Sequence, residues 1–315
     1  MDPNQQLYID ILNRIPIDRI QDHPNILVAA GFWEEERYRA AKTCYSFMRS
    51  IDDLIDDYKS AHKHIDEQDR EKFIRKVNDW VQSIHAGRRP GLLQHDLISA
   101  IRKFRIPSWP IENFARSMVY DIYNDGFPTI QSFLEYSEGA TVAPSSIFVH
   151  LCGISKRDSI WQDPLYNVKA TSTPCAIFSY LVHIIRDFQK DQLNNLSYFA
   201  DDRILANDLT RSQMRQIAEG AGITAGFRNL MGEYYQMADE YRAQTWQVLD
   251  RISGQVEPRY YLSLHIIFNL YLMVFERIDV DNGSFTAKEL NPSPKEIHDR
   301  VYRTIMEFQY HSVNY

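Results

Sequence analysis

The sequence contains few of the residues that interrupt helices. It has 12 glycines and 13 prolines among 315 residues, and no stretch shows the clear alternating pattern of a strand. Apolar residues recur three and four positions apart instead, which is the spacing of a helix that buries one face. With 44% hydrophobic residues, the chain can bury a large core. These features predict an all-α fold. Because linkers, repeats and low-complexity segments are also absent, they predict one domain over 1–315.

Other absences exclude whole classes of protein. Only three cysteines occur, without a CxxC pair, so Cys44, Cys152 and Cys175 are predicted to be reduced and buried in a cytoplasmic protein. The formal net charge of −7 provides no basic field for nucleic acid. The N-terminus lacks the pattern of a signal peptide. The longest apolar run, 260–275, contains polar residues and is shorter than the ~20 residues of a membrane span. It predicts a buried core helix, which is compatible only with peripheral membrane contact.

Helical periodicity recurs along most of the chain. Thr210 is placed to cap a short helix that reaches Glu219. The other predicted helices cover 33–58, 70–84, 92–104, 111–124, 130–152, 176–193, 226–251, 258–279 and 294–309. Helices of this number and length predict a bundle.

The first acidic motif is YSFMRSIDDLIDD at 45–57. Residues four apart share one face of a helix, so Asp52 and Asp56 are predicted to point in the same direction. Asp53 and Asp57 form a second stripe about 100° round the helix. Like charges at this spacing repel one another, and a bound divalent cation would offset the repulsion.

Two neighbours of the first motif indicate which stripe faces inward. Tyr45 and Met48 lie on the face of Asp52 and Asp56, so this pair is expected to face the core. Mg²⁺ binds a few carboxylate oxygens together with water and substrate phosphates, which suits such a pair. The alternative interpretation is an acidic helix end exposed to solvent, since charge runs usually lie on solvated faces.

The second acidic motif is HIIRDFQKD at 183–191. Asp187 and Asp191 are again four residues apart. His183 lies one turn before Asp187, and Tyr180 is near it on the same face. The apolar run that precedes the motif indicates a buried helix, and acids that emerge from a buried helix need partners.

A basic stripe lies beside these acids. Arg186 and Lys190 are four residues apart and can hold phosphate oxygens. The alternative is a set of salt bridges on the helix surface. Two acidic pairs on separate core helices can face each other across a bundle cavity, which is an established way to build a metal site. Together they favour a functional site over two unrelated acidic surfaces.

The two motifs resemble those of the squalene/phytoene synthase family of head-to-head prenyl transferases. The first is similar to the family signature Y-x-x-C-R-x-x-D-D-x-x-D, and the second to N-x-x-R-D-x-x-x-D-x-x-x-x-R-x-Y. The matching positions are Tyr45, Arg49, Asp52, Asp56, Arg186, Asp187, Asp191 and Tyr198. Tyr136, with the small-residue run GATVAPSS at 139–146, resembles the helix that lines the family's substrate channel. The resemblance extends over 22–279.

This resemblance implies an isoprenoid-synthase-type bundle with a central cavity that ionises a prenyl diphosphate of the farnesyl or geranylgeranyl type. The residues implied as Mg²⁺ ligands are Asp52, Asp56, Asp187 and Asp191. Arg49 and Arg186 would place fixed positive charge beside the diphosphate. The further substrate-binding candidates are His23, Asn25, Lys190, Tyr180 and Tyr198. Candidates for stabilising the resulting cation through their rings are Tyr45, Tyr136, Tyr180 and Phe188. A neutral His183 could position water or accept a proton.

Several positions depart from the family pattern. Met48 replaces the usual cysteine, Tyr180 a glutamine, His183 an asparagine and Leu196 an arginine. A loop that normally contains serine appears here as His-Pro-Asn at 23–25. The metal-binding acids are intact, but the surroundings of the second diphosphate are altered.

These departures leave three functions open. The first is head-to-head joining of two farnesyl-type diphosphates, which gives presqualene diphosphate or a squalene-type product. The second is ionisation followed by cyclisation or water capture, and the third is a non-catalytic assembly scaffold. NADPH has no supporting motif, since the glycine-rich stretch at 220–226 is not a dinucleotide fingerprint. Phe148, Leu151 and Ile177 are candidates for the cavity floor, but periodicity does not rank them.

Overall fold

A computed structural model describes residues 3–19, 24–62, 65–87 and 92–309. The protein is 75% helical with almost no strand, which confirms the predicted all-α fold. The α-helices are α1 (Pro3–Leu12), α2 (Pro24–Ala30), α3 (Glu35–Ala61), α4 (Glu67–His85), α5 (Leu92–Lys103), α6 (Trp109–Tyr123), α7 (Ile130–Ser137), α8 (Ala143–Gly153), α9 (Val168–Arg186), α10 (Phe188–Leu193), α11 (Asp201–Ala206), α12 (Arg211–Ala218), α13 (Ala225–Ile252), α14 (Pro258–Phe275), α15 (Ala287–Leu290) and α16 (Pro294–Glu307).

The long helices pack around one another through apolar faces. Helix α9 lies along α13 and also contacts α8 and α14, while α3 contacts α5, α6 and α8. On α3 the buried residues Phe47, Ile51 and Ile55 are four positions apart, so they form one stripe toward the core. The two acidic motifs lie at the C-terminal ends of α3 and α9, and the bundle brings these ends to the same cavity.

Helix α14 contains the longest apolar run and is a core helix, as predicted. Its residues Leu262, Ile266 and Phe268 are completely buried. Among the described residues, one helix is long and apolar enough to cross a membrane by length and composition, and it is α9. Because 56% of its most apolar window is buried inside the fold, α9 has the character of a core helix.

Some element boundaries differ from the predictions. The helix predicted at 130–152 contains a π-helical turn, Glu138–Val142, between α7 and α8. The helix predicted at 176–193 starts earlier, at Val168, and breaks at Asp187 before α10. Helix ends depend on tertiary contacts, and an apolar periodicity of 3.6 does not distinguish a single π-turn.

A small antiparallel hairpin was not predicted. Its strands are β1 (Ser155–Arg157) and β2 (Ile160–Gln162), and residues with positive φ, Asp158 and Ser159, form the turn. Three-residue strands are too short to show an alternating pattern, and the turn lacks the usual Asn-Gly or Asp-Gly signal. The hairpin lies away from the acidic motifs in sequence.

The cysteines agree with the prediction in two of three cases. All three are free thiols, and Cys44 and Cys152 are buried. Cys175 is only half-buried and lies on the wall of the central cavity. Burial raises the pKa of the Cys44 and Cys175 thiols to about 12, so both stay protonated.

The π-helical turn depends on a glycine. A Cβ atom on Gly139 would overlap the Asn113 carbonyl oxygen and Ser117 Oγ of α6. We expect Gly139→Ala to lower the free energy of unfolding by about 2–3 kcal/mol because backbone atoms of α6 must move. Gly232→Ala on α13 is the matched control, since no described atom outside its own stretch of helix lies within 4 Å of the added Cβ. It should raise stability by about 0.5–1 kcal/mol. Urea unfolding compares the two, and equal stability changes would contradict the close approach.

One buried histidine should make the fold sensitive to acid. His265 packs against Tyr261 and Trp246. Its Nε2 atom is buried with no hydrogen-bond partner among the described residues, and burial lowers its pKa to about 4. The unfolded chain therefore binds a proton near pH 6.5 that the folded protein takes up only near pH 4. Stability is lost as pH falls through this window, by about 2 kcal/mol at pH 5. We expect His265→Phe to reduce this loss in unfolding measured from pH 7 to pH 4.5. An unchanged pH dependence would contradict the assignment.

Candidate active site

The central cavity has a volume of about 650 Å³. Helices α3, α8, α9, α13 and α14 contribute most of its wall. All the predicted site residues that the structure describes, except Phe188, line it: Asn25, Tyr45, Arg49, Asp52, Asp56, Tyr136, Tyr180, His183, Arg186, Asp187, Lys190, Asp191 and Tyr198. His23 lies outside the described residues. Residues separated by more than 170 positions in the chain thus share one cavity.

At the end of α3, carboxyl groups crowd together. Burial raises the pKa of Asp52 to about 7, with a smaller opposing effect of Arg49. Burial, together with the charges of Asp52 and Asp121, raises the pKa of Asp56 to about 9. Arg49 bridges the two stripes of the motif, because its guanidinium lies 3.4 Å from Asp52 and 2.6 Å from Asp53. The first acidic site therefore has too little positive charge nearby to keep both buried carboxyl groups ionised, and a bound divalent cation would favour their charged forms.

The two stripes of the first motif differ in exposure. The side chain of Asp52 is 32% exposed and that of Asp53 is 43% exposed, while Asp57 is exposed to solvent. All three of these side chains, and that of Asp56, line the cavity. The inward stripe is the one that shares its face with Tyr45 and Met48, which also line the cavity.

At the end of α9, Asp187 is held by two neighbours. Arg186 donates Nε to Oδ1 at 2.7 Å and an Nη to Oδ2 at 2.8 Å. His183 Nε2 lies 2.8 Å from Oδ2. Burial alone would raise the pKa of Asp187, but these hydrogen bonds and the positive charge of Arg186 hold it well below its usual range. Asp187 is thus a charged carboxylate with three donors.

The protonation state of His183 follows from its partners. An Arg186 Nη lies 3.3 Å from His183 Nδ1, and an arginine N–H can only donate. Nδ1 therefore accepts, and the ring carries its proton on Nε2, which donates to Asp187. Burial and the charge of Arg186 lower the pKa of His183, so the ring is neutral. Both nitrogens are engaged, which favours a role in orienting Asp187 over free proton transfer.

Asp191 lies in a different environment from Asp187. In the described parts of the chain no cation forms an ion pair with it, and burial, together with the charge of Asp187, raises its pKa to about 8. Among the same residues, no three His, Cys, Asp or Glu side chains come close enough to hold a metal ion by themselves. Mg²⁺ commonly takes only one or two protein carboxylates and completes its shell with water and phosphate oxygens.

Three residues at the site were missed in the sequence. Asp121 of α6 is buried beside Asp52 and Asp56, and its pKa is raised by this burial. It pairs with the buried Lys59, the Lys59 Nζ lying 3.7 Å away. Tyr271 of α14 lines the cavity. The signal for Asp121 was present, because a lone acid stands among apolar and aromatic residues in MVYDIY at 118–123.

The cavity lining corrects one sequence-based expectation, and it distinguishes the candidates for the cavity floor that periodicity could not rank. Phe188 packs into the core against Phe199 and Phe227, with ring centroids 6.0 and 4.8 Å away, and is not part of the cavity lining. Ile177 is likewise absent from the lining, whereas Phe148 and Leu151 belong to it.

Tyrosines dominate the wall near the acids. The Tyr180 ring stacks on Phe133 at 5.5 Å and meets Tyr198 edge-on at 6.1 Å. Tyr136 packs on Phe127 at 4.9 Å. Burial raises the pKa of Tyr136, Tyr180 and Tyr198 well above 10, so all three keep their protons.

Comparison with known proteins agrees with this geometry. A search of curated protein sequences gave no significant match. Among solved structures, a dehydrosqualene synthase in complex with ligand is 11% identical and superposes with a TM-score of 0.68, covering 97% of this chain and 99% of that one. The squalene synthase HpnC from Alicyclobacillus acidocaldarius is 14% identical with a TM-score of 0.62, covering 87% and 93%. At this identity the superpositions show that the fold is shared.

The sequence comparison is more specific than the shared fold. The profile of the squalene/phytoene synthase family matches residues 21–295. This range includes both acidic motifs and nearly every helix that lines the cavity. The chain therefore belongs to the squalene/phytoene synthase family.

Proposed function

We propose that the protein joins two farnesyl-type diphosphates head to head, giving presqualene diphosphate or a squalene-type product. The observation that carries this proposal is one cavity with two acidic helix ends at its mouth and an apolar interior. Membership of the family supports the class of reaction. The acidic mouth suits diphosphates, and the interior suits hydrocarbon chains.

The carboxylates fit Mg²⁺ on chemical grounds. Asp52, Asp56 and Asp191 present the hard oxygen ligands that Mg²⁺ prefers. Burial and the charges of neighbouring acids raise the pKa of each carboxyl group, so a bound cation would favour the charged forms. Asp187 contributes a further carboxylate that His183 orients. These four acids would hold the ions. When bound, Mg²⁺ would supply Lewis-acid neutralisation of the diphosphate leaving group.

The cations of the chain would bind the diphosphate directly. Arg49 lines the cavity at the acidic end of α3, and Arg186 lines it at the acidic end of α9. Each guanidinium presents planar donors that match phosphate oxygens. Lys190 lines the cavity and is exposed, so its flexible side chain could place the ammonium against a phosphate oxygen. Together they would hold the leaving group at the mouth while the prenyl chain enters the interior.

The interior would exclude water from the allylic cation that remains. Thr171 and Asp187 both line the cavity, and at 1.5 Å per residue they lie about 24 Å apart along α9. Extended prenyl chains of the farnesyl or geranylgeranyl type suit this length. Tyr45, Tyr136 and Tyr180 would face the cation with ring surfaces or hydroxyl oxygens.

A second candidate function is ionisation followed by cyclisation or water capture. Leu196 lines the cavity at a position where the family pattern has an arginine, so the second acidic site has one cation fewer than that pattern. With less charge to hold a second diphosphate, a single substrate would react alone. This outcome yields a C15 or C20 hydrocarbon or alcohol.

Product analysis distinguishes these functions. Purified protein is incubated with Mg²⁺ and farnesyl or geranylgeranyl diphosphate, with and without NADPH, and the products are identified by mass spectrometry. The proposal expects C30 products from farnesyl diphosphate. A C15 alcohol or cyclic hydrocarbon would support the second candidate instead. No turnover, together with no metal-dependent binding of diphosphate, would overturn both and favour the assembly scaffold.

A further inference from the structure

The short helix α10, which carries Asp191, is held in place by contacts outside itself. It has only six residues, and a helix of that length is not stable alone. It packs against α12, where Gln189 Nε2 donates to the Ala218 carbonyl at 3.2 Å. The position of Asp191 therefore depends on how α10 is attached to α12.

Arg215 of α12 provides most of this attachment. Its Nη1 atom donates to the carbonyl oxygens of Gln192 and Leu193, the second at 3.3 Å. These carbonyl groups lie in the last turn of α10, where a basic side chain satisfies them and also interacts favourably with the helix dipole. The same Nη1 atom donates to Asn195 Oδ1 at 3.2 Å. Arg215 thus holds both the end of α10 and the turn that follows it.

Asn195 connects this turn to the first acidic helix. Its Nδ2 atom donates to the Ser60 carbonyl at 3.4 Å. Ser60 lies one turn after Asp56 on the same face of α3, and both line the cavity. The backbone of Asn195 has a φ of 59°, a left-handed conformation that asparagine adopts more readily than most residues. The side chain therefore bridges the ends of the two elements that carry Asp56 and Asp191.

Both residues act from outside the cavity. Its described lining includes neither Arg215 nor Asn195. Arg215 Nε pairs with Glu219 of its own helix at 2.6 Å, which leaves Nη1 to bind α10. Their contacts are with the backbone that supports the acids, so they suit a positioning role.

We propose that Arg215 is a positioning residue that, directly and through Asn195, sets the separation between Asp191 and Asp56. The inference rests on the proposed function, because this separation matters when both acids hold cations around one diphosphate. Mg²⁺ requires nearly ideal octahedral geometry, so its affinity depends on how firmly its ligands are placed. Loss of groups that orient metal ligands typically lowers metal affinity by about 10–100-fold.

The test measures binding of Mg²⁺ and inorganic diphosphate by calorimetry. Arg215→Met removes the three bonds from Nη1 and keeps an apolar side chain of similar length. We expect the Mg²⁺ concentration at half-saturation to rise about tenfold, with the number of binding sites unchanged. Partial unfolding would instead lower the number of binding sites at an unchanged half-saturation. An unchanged half-saturation in Arg215→Met would overturn the proposal.

Two controls separate the bonds to α10 from the ion pair of Arg215. Glu219→Gln removes only the ion pair. Arg39→Met removes another exposed ion pair between residues four apart, with Glu35 on α3. Both variants should keep the half-saturation within about twofold of the parental value. A tenfold shift in Glu219→Gln would show that the ion pair is responsible, and would overturn the proposal.

Asn195→Gly tests the bridge even where Arg215→Met fails to fold. Glycine adopts a positive φ without strain, so this variant removes the two side-chain bonds and leaves the turn favourable. The half-saturation should rise about threefold. Asp208→Gly is the matched control, because Asp208 also has a positive φ, 55°, in a turn after α11. Equal half-saturation in the parent and in Asn195→Gly would overturn the role of the bridge.

Failure of the proposed function would appear separately, as a parent protein that does not bind Mg²⁺ with diphosphate. Hydrogen exchange of the ligand-free protein then measures the attachment of α10 by itself. Amides within 188–196 should exchange about tenfold faster in Arg215→Met than in the parent, because the segment opens more easily. In Arg39→Met they should keep the parental rate. Unchanged exchange of this segment in Arg215→Met would overturn the role of Arg215.

Discussion

Replacing Asp56 by asparagine is expected to lower turnover by about 10²–10³-fold or more, while the folded protein becomes more stable. Asparagine keeps the shape of the side chain but removes the charge that would hold a divalent ion. The same change removes a buried carboxyl group whose pKa is raised to about 9. Because the unfolded chain ionises this group and the folded protein holds it protonated, the free energy of unfolding should rise by about 1 kcal/mol or more in the absence of Mg²⁺. Asp52→Asn should behave in the same way. Diphosphate release and thermal unfolding measure the two effects.

Asp57→Asn is the control for this prediction. Asp57 belongs to the neighbouring stripe and is exposed to solvent, so its replacement should change turnover by less than about threefold. A loss of turnover in Asp57→Asn as large as that in Asp56→Asn would contradict the assignment of the inward stripe. So would an Asp56→Asn variant with parental turnover and an unchanged Mg²⁺ requirement.

The two acids of the second motif should have opposite effects on stability, although we expect the loss of either to abolish turnover. Asp187→Asn removes the acceptor that holds Arg186 and His183, and we expect a loss of about 3 kcal/mol because a buried guanidinium is left without its partner. Asp191→Asn removes an unpaired carboxyl group and should raise the stability of the ligand-free protein by about 1 kcal/mol. Chemical unfolding in the absence of Mg²⁺ measures the change in the free energy of unfolding for each variant.

A double-mutant cycle measures the interaction energy between Arg186 and Asp187. If the contact with Arg186 causes the loss, then Arg186→Gln should destabilise the parent more than it destabilises the Asp187→Asn variant. The expected coupling is about 1–3 kcal/mol. Independent, additive effects would show that Asp187 contributes to stability through other contacts. The equivalent cycle between Arg186 and Asp191 is the control, since no ion pair between them is present.

Much of the site could be predicted because its residues lie on long helices. The i,i+4 spacing places Asp52 beside Asp56 whatever the rest of the fold does, and the apolar stripe of α3 determines which side faces inward. The family resemblance then related the two motifs to one another, and the structure places both at one cavity. The all-α fold followed from the same periodicity and is confirmed.

What could not be predicted depends on contacts between elements. Helix α9 ends at Arg186, so Asp187 and Asp191 do not lie on one continuous helix. Asp121 and Lys59 are 62 positions apart, and no sequence pattern joins them until α3 and α6 pack together. For the same reason Phe188, which follows the motif directly, was expected at the cavity but lies in the core.

The central claim is that this cavity ionises prenyl diphosphates with the help of divalent cations. The most direct measurement is diphosphate release from farnesyl diphosphate by the parent protein and by Asp56→Asn, each with Mg²⁺ and with EDTA. The account predicts release by the parent in Mg²⁺ alone, and almost none in the other three conditions. Release that continues in EDTA, or that Asp56→Asn sustains at the parental rate, would contradict it.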